Sequence, residues 1–408
     1  MTRLAIDGGT PVRTRPFPPR RPFGEKEEQY LLEAVRSQNL FGKSGTFVPR
    51  LESAFAQFYG RQYAQSCTSG TAAIHLAVGA VNPDPGDEII TAPITDPGSV
   101  MPILQQTAVP VFADVDPITL TMTPEAIEAC ITERTRAIIV VHLFGYPCDM
   151  ERIVPLARRY QLTLIEDCAQ AHATRYRGRY LGTFGDIGCF SFQQSKHMTT
   201  GDGGMTITDD EPTYLRMKLF SDKGWDYRYM GERDHAFLAP NYRMNEQTAA
   251  VGLAQLEKVR SVVERRIALG RRLTEGIQDA PGIRTLPLSE EFEVSWWNYL
   301  FHAPGHDVDR FAEALRAEGV PVWAHYIGDP IFLRGDFLVR RVTFGRSQFP
   351  FDSPYVSREY RYGRELVPNA VQGLKTALVF GLHEDMSEED MDDVIRAVWK
   401  VAENLPRR

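Results

Sequence analysis

Lys196 closes a short apolar run and stands just before a glycine-rich turn, Ser191-Phe192-Gln193-Gln194-Ser195-Lys196-His197-Met198-Thr199-Thr200-Gly201-Asp202-Gly203-Gly204. A lysine fixed between a strand and closely spaced glycines is suited to forming a Schiff base with an aldehyde, although most lysines are only solubilising charges. Upstream, the apolar run Leu162-Thr163-Leu164-Ile165 ends in Glu166-Asp167-Cys168-Ala169-Gln170-Ala171-His172. An acid at the carboxyl end of a buried strand is costly unless it is paired. Its partner is either an arginine in an ordinary salt bridge or the protonated nitrogen of a pyridine ring, which then draws electrons.

Two further groups precede the lysine. In Ser66-Cys67-Thr68-Ser69-Gly70-Thr71-Ala72-Ala73, Gly70 and Thr71 fall at the start of an Ala-rich helix, where free N–H groups and the helix dipole make a phosphate seat. The same Ser-Gly-Thr also reads as a plain helix cap. Ser191, five residues before Lys196, could donate to a phosphate held at Thr71. A phosphate seat, a ring-nitrogen acid and a Schiff-base lysine together form the inventory for pyridoxal 5'-phosphate. Gly201–Gly204 fits neither a P-loop nor a dinucleotide turn and is expected to let backbone pass close to that cofactor.

The elements that must position these groups are legible from residue 62 to 208, where β-branched runs alternate with helical stretches. Strands are predicted at Glu88–Thr91, Val109–Ala113, Ala137–His142, Leu162–Glu166, Ile187–Phe192 and Gly204–Thr208, forming an α/β fold with a largely parallel sheet. Thr123-Pro124-Glu125 supplies a helix start. A long helical pattern after Asn245 leads out of this part, and a smaller α+β unit is expected to follow. In it Asp307 caps one helix that Gly319 stops, and Ser387-x-x-Asp390 opens the last. The expected division is a large domain over 1–259 and a small one over 260–408.

With 408 residues, 43% hydrophobic and 24% charged, the chain has an ordinary globular composition. A net charge of −7 argues against a nucleic-acid binder, which normally carries a basic stripe, and no run nears the roughly 20 apolar residues of a membrane span. No signal peptide is read in the first residues, and a cytoplasmic location is expected. Five cysteines without a C-x-x-C pair indicate neither a disulfide framework nor zinc, and the histidines share no ligand spacing, so no metal is assigned.

Taken together these residues resemble the DegT/DnrJ/EryC1/StrS family of sugar aminotransferases, which are fold-type I pyridoxal-phosphate enzymes. The stretches that carry the likeness are Leu4–Val12, His142–Met150, Ile165–His172, Ser191–Gly204 and Asn241–Glu246. The resemblance implies that Lys196 bears the cofactor and moves the proton, and that Asp167 pairs with the pyridine nitrogen. It further implies that Gln170 meets the ring hydroxyl, that Gly70, Thr71 and Ser191 bind phosphate, and that Asn241 reaches the phosphate of a neighbouring subunit in a homodimer. The amino donor would be glutamate or glutamine and the acceptor a nucleotide-linked keto-sugar or a keto-cyclitol.

One position departs from the family pattern. Where an aromatic that stacks on the ring is common, the loop Ala92–Ser99 carries Asp96, which could meet a substrate hydroxyl or amine instead. Trp225 and Tyr227, and the loop with Trp323, His325 and Tyr326, are candidate acceptor contacts, although loop packing accounts for them equally well. Two alternatives remain: a sugar dehydratase on the same fold, which would carry histidine in place of Lys196, and a regulatory homologue without activity.

Overall fold

The computed structural model describes residues 3–226, 235–356 and 358–407. Nine strands precede residue 209: β1 (Tyr63–Cys67), β2 (Glu88–Thr91), β3 (Val109–Phe112), β4 (Thr135–Val141), β5 (Thr163–Asp167), β6 (Arg175–Tyr176), β7 (Arg179–Tyr180), β8 (Ile187–Ser191) and β9 (Gly204–Thr208). Seven of them form one sheet in the order β1-β9-β8-β5-β4-β2-β3. β3, β2, β4, β5 and β8 run parallel, while β9 is antiparallel to both β8 and β1. All six predicted strands are present, with ends moved by at most two residues, and β1 is an addition.

The parallel strands are buried on both faces, as expected of a sheet covered by helices on both sides. The helix Gly70–Val81 is almost wholly buried against it, which its run of Ala, Ile, Leu and Val permits. Thr123 caps the helix Pro124–Cys130 as its sequence predicts, its side chain accepting the Ala126 N–H.

A 32-residue helix, Glu246–Ile277, leaves this sheet. It leads to a four-stranded antiparallel sheet in the order Arg284–Thr285, Tyr299–His302, Ala377–Phe380, Val322–Ala324. Asp307 caps the helix Val308–Ala317, Gly319 follows it at φ +90°, and Ser387 with Asp390 forms the capping box of the helix Glu388–Asn404. The N-terminal segment is tied to this part: Arg13 is buried in ion pairs with Asp390 and Asp393, and Ala5 N and Val12 N donate to Glu318. Among the described residues no helix is long and apolar enough to cross a membrane.

Candidate active site

The carboxyl ends of β1, β5 and β8 meet where the sheet changes direction, which is where open α/β sheets bind ligands. Two glycines make this convergence possible. A Cβ on Gly204, at the start of β9, would lie 2.3 Å from the Ser69 carbonyl oxygen, and one on Gly70 would lie 2.6 Å from Ser191 Cβ. The first turn of Gly70–Val81 is thereby pressed against the end of β8. The Ser69 hydroxyl satisfies one of that helix's free donors, accepting from Ala72 N, and its carbonyl accepts the first regular helical bond, from Ala73 N. Among the described residues the N–H groups of Gly70 and Thr71 have no partner. They border an inner chamber of roughly 340 Å³ that Ser191, Asp167 and Lys196 also line.

Asp167 ends β5 and is buried, accepting from Ser99 Oγ at 2.7 Å and from Ala169 N at 3.0 Å. No arginine pairs with it among the described residues, so the ordinary salt bridge is not made. Burial pushes its pKa above the usual value, against the lowering by the Ser99 hydroxyl, the Ala169 N–H and Lys196. Lys196 is half-buried, and burial draws its pKa down to about 8, with Asp167 and Asp96 opposing. At neutral pH on the order of a tenth of this amine is therefore unprotonated, far more than in an ordinary lysine, which favours a nucleophile.

Lys196 stands at the junction of the inner chamber with an outer one of roughly 330 Å³. Asp96 and Trp297 line both chambers; Gln170, Tyr326, Arg334 and Phe337 line the outer one. Gln170 Oε1 accepts from Phe144 N at 2.7 Å, which fixes its side chain. Asp96 also caps the turn Pro97–Ser99, with Gly98 N at 2.8 Å. Ser99, Trp297 and Arg334 were not singled out in the sequence. Ser99 had a weak signal in its nearness to Asp96, whereas Trp297 and Arg334 are more than 100 residues away in sequence from Lys196 and gave none.

Other candidates lie elsewhere. Asn241 is exposed and bridges backbone with Asp222, away from both chambers. Trp225 packs beside His235, and Tyr227 falls outside the described residues. His325 lines neither chamber, because its ring nitrogens are taken up by the Leu374 carbonyl at 3.1 Å and by Asp309 at 3.0 Å. His197, next to the lysine, turns away and bonds the Ser295 carbonyl.

One buried group of metal-ligand types, His142, Glu166 and Cys168, has its ligand atoms within 4.8 Å of one another. Its geometry is that of a closed hydrogen-bond network. Glu166 already accepts from His142 Nε2 and from the N–H groups of Gly182, Phe184 and Gly185. His142 Nδ1 accepts the Cys148 N–H, which assigns the ring proton to Nε2.

A lysine and a buried carboxylate at the carboxyl ends of a mostly parallel seven-stranded sheet, with a smaller α+β part beside it, define a fold-type I transferase. The chain belongs to the DegT/DnrJ/EryC1/StrS aminotransferase family, whose sequence profile it matches over residues 22–399, and it is an aminotransferase. It is 33% identical over 427 residues to the putative L-glutamine:3-amino-2,3-dideoxy-scyllo-inosose aminotransferase of Micromonospora echinospora, covering 99% of this chain and 98% of that one. It is 42% identical over 241 residues to the GDP-perosamine synthase of Escherichia coli O157:H7, covering 59% of this chain and 65% of the relative. The X-ray structure of the aminotransferase from Psychrobacter cryohalolentis superposes with a TM-score of 0.84 at 30% identity, over 96% of this chain and all of that one (100%).

Proposed function

We propose that this enzyme moves an amino group from glutamate or glutamine to a keto-sugar or keto-cyclitol with pyridoxal 5'-phosphate held at Lys196. The observation that carries this reading is the buried Asp167 carboxylate, which among the described residues has two hydrogen bonds, no guanidinium partner, and a lysine amine across the same chamber. A cationic ring nitrogen repays the burial that nothing else among the described residues repays. The Gly70 and Thr71 N–H groups with Ser191 suit a phosphate at a helix N-terminus, and no side chain larger than hydrogen fits at Gly70.

The cofactor supplies an aldehyde that accepts amino nitrogen and a ring that draws electrons from the adjoining carbon. The chain's residues do the rest. Asp167 keeps the ring nitrogen protonated, Ser99 orients Asp167, and Lys196 takes a proton from one carbon and returns it to another. The outer chamber receives the substrates in turn. Among the described residues Arg334 and Lys196 are the cations lining the two chambers, so Arg334 suits a carboxylate or phosphate group on either substrate.

Homologues are named for a keto-cyclitol and for GDP-perosamine, so both acceptor classes belong in the test. We also propose a homodimer in which Asn241 serves the neighbouring site. The exposed Phe23, Leu31, Leu32, Val35 and Phe41, and the distance of Asn241 from its own chambers, support it.

Borohydride reduction of the protein incubated with pyridoxal phosphate, followed by peptide mass measurement, tests the core of this reading. The expected result is a phosphopyridoxyl adduct on Lys196, and bleaching of the yellow protein by glutamate or glutamine. An adduct elsewhere, or no response to any amino donor, overturns it. Mixing Lys196→Ala and Asn241→Ala chains tests the shared site: activity of the mixture above that of either parent is expected, and none argues against a dimer with shared sites.

A further inference from the structure

The indole of Trp297 lies directly against the lysine amine, with Lys196 Nζ 3.9 Å from the ring centroid. Its own N–H donates to the carbonyl of Ser195 at 3.0 Å and to the Ser195 hydroxyl at 3.2 Å, so the ring is pinned to the residue before the lysine. Behind it Phe144 lies nearly parallel, 17° off at 6.3 Å between centroids. The backbone of Trp297 is fixed too, its N–H donating to the Phe144 carbonyl and its carbonyl accepting from the buried Arg266. A ring held by hydrogen bonds at both its edge and its backbone, and lining both chambers, has little freedom to turn away.

We propose that Trp297 is a positioning residue for Lys196, its indole face seating the lysine ammonium at the boundary of the two chambers whenever that amine is not covalently engaged. This rests on the reading of Lys196 as the reacting amine. A lysine that alternates between base and acid must return to one place while protonated, and a solvated ammonium on a four-carbon stem would not. The face of an indole attracts an ammonium through its quadrupole without forming a salt bridge that would hold the proton permanently. The two carboxylates that also face Lys196, Asp96 and Asp167, have other tasks, one capping a turn and the other facing the chamber floor. Asp202 lines the inner chamber, Tyr326 the outer one, and His172 is buried behind the end of β8 on the Ser191 carbonyl.

The test follows acylation of Lys196 by limiting acetic anhydride in the full-length chain stripped of cofactor, from about pH 6 to about pH 10. Peptide mass gives the midpoint of its titration. Replacing Trp297 by Leu keeps the surroundings apolar and removes the ring, so the charged form loses support and the midpoint falls. The expected fall is about half to one pH unit from the wild-type value, whereas Trp297→Phe, which retains a ring face, stays within roughly 0.3 of it. Should Trp297→Leu not fold, Trp297→Met makes the same comparison at larger side-chain volume. An unchanged midpoint in a folded Leu or Met variant overturns the proposal, since a wall that merely fills space would leave the titration where it was. If borohydride instead fixes the cofactor to another lysine, the reading of Lys196 fails while this titration still reports the contact.

Discussion

Glu166 and Asp167 are consecutive on β5 and both buried, yet their pKa values are displaced in opposite directions. Burial raises the pKa of each, but the His142 ring and the N–H groups of Gly185 and Gly182 outweigh it at Glu166, which sits below its ordinary value. At Asp167 burial wins. Successive side chains on a strand face opposite sides, so one carboxylate anchors the glycine turn after β7 while the other faces the inner chamber.

Replacing Glu166 by Gln should therefore destabilise the fold. One oxygen that accepts backbone N–H groups becomes a donor, leaving buried donors unpaired at a cost of about 3–5 kcal/mol. Urea unfolding should show this as a lower midpoint in the protein without cofactor; an unchanged midpoint would mean that the network contributes little.

Asp167→Asn should do the reverse to stability and abolish function. A carboxyl whose pKa is raised on folding stabilises most below the ordinary carboxylate value, and loses that contribution as pH rises through its folded value. The Asn variant without cofactor should therefore melt above the wild type at neutral pH, by roughly 1–3 °C, with the gap closing near about pH 4. Its affinity for pyridoxal phosphate should fall on the order of tenfold or more. Equal affinity would remove Asp167 from the ring nitrogen.

Gly70→Ala places a methyl group 2.6 Å from Ser191 Cβ, so the helix start or the strand end must shift. The expected effect is a phosphate seat weakened by roughly tenfold, about 1.4 kcal/mol, read as the dissociation constant for pyridoxal phosphate. Affinity for pyridoxal lacking the phosphate should be nearly unaltered, and an equal loss for both would point to a general distortion.

Asp96→Asn keeps the cap on Gly98, because an amide oxygen accepts the same N–H, and removes only the charge. A rise of the acceptor KM by about tenfold, with donor kinetics unaltered, is the outcome expected of a carboxylate that meets an acceptor hydroxyl or amine. Unaltered kinetics would leave Asp96 as a turn cap alone.

Arg334→Gln should raise the KM of whichever substrate places its anionic group in the outer chamber. About a tenfold increase is expected for a lost charge-assisted hydrogen bond, without change in cofactor affinity. Measuring donor and acceptor separately assigns the group, and no change in either removes Arg334 from substrate binding.

The sheet was largely legible because its parallel strands are buried on both faces and read as unbroken apolar runs. β1 escaped notice because Tyr-Ala-Gln-Ser-Cys buries Gln65 and Ser66, so neither an apolar run nor an alternation marks it. Gly70, Thr71, Asp167, Ser191 and Lys196 could be named because each lies at or just beyond a strand end or helix start that local patterning reveals, whereas Gln170 and Asn241 were named from the family resemblance alone; the fold brings all of these except Asn241 to the two chambers. The substrate side could not be named that way. Trp297 and Arg334 arrive through chain reversals in the C-terminal part, and nothing in the spacing Ser295-Trp296-Trp297 tells which tryptophan packs inward and which meets Lys196.

The helix Glu246–Ile277 acts as a ruler between the segment Thr46–Val48 and the wall of the site at Trp297. At one end Glu246 accepts the N–H groups of Thr46, Phe47 and Val48; twenty residues on, Arg266 donates to the carbonyls of Trp296 and Trp297. That span is about 30 Å, and one residue inserted within it would turn Arg266 by about 100° away from its contacts. Surface loops of this enzyme can lengthen at little cost, but this stretch has a fixed count. Variation in length among natural or engineered versions should therefore spare it, making residue number between Glu246 and Arg266 a stricter signature than residue identity.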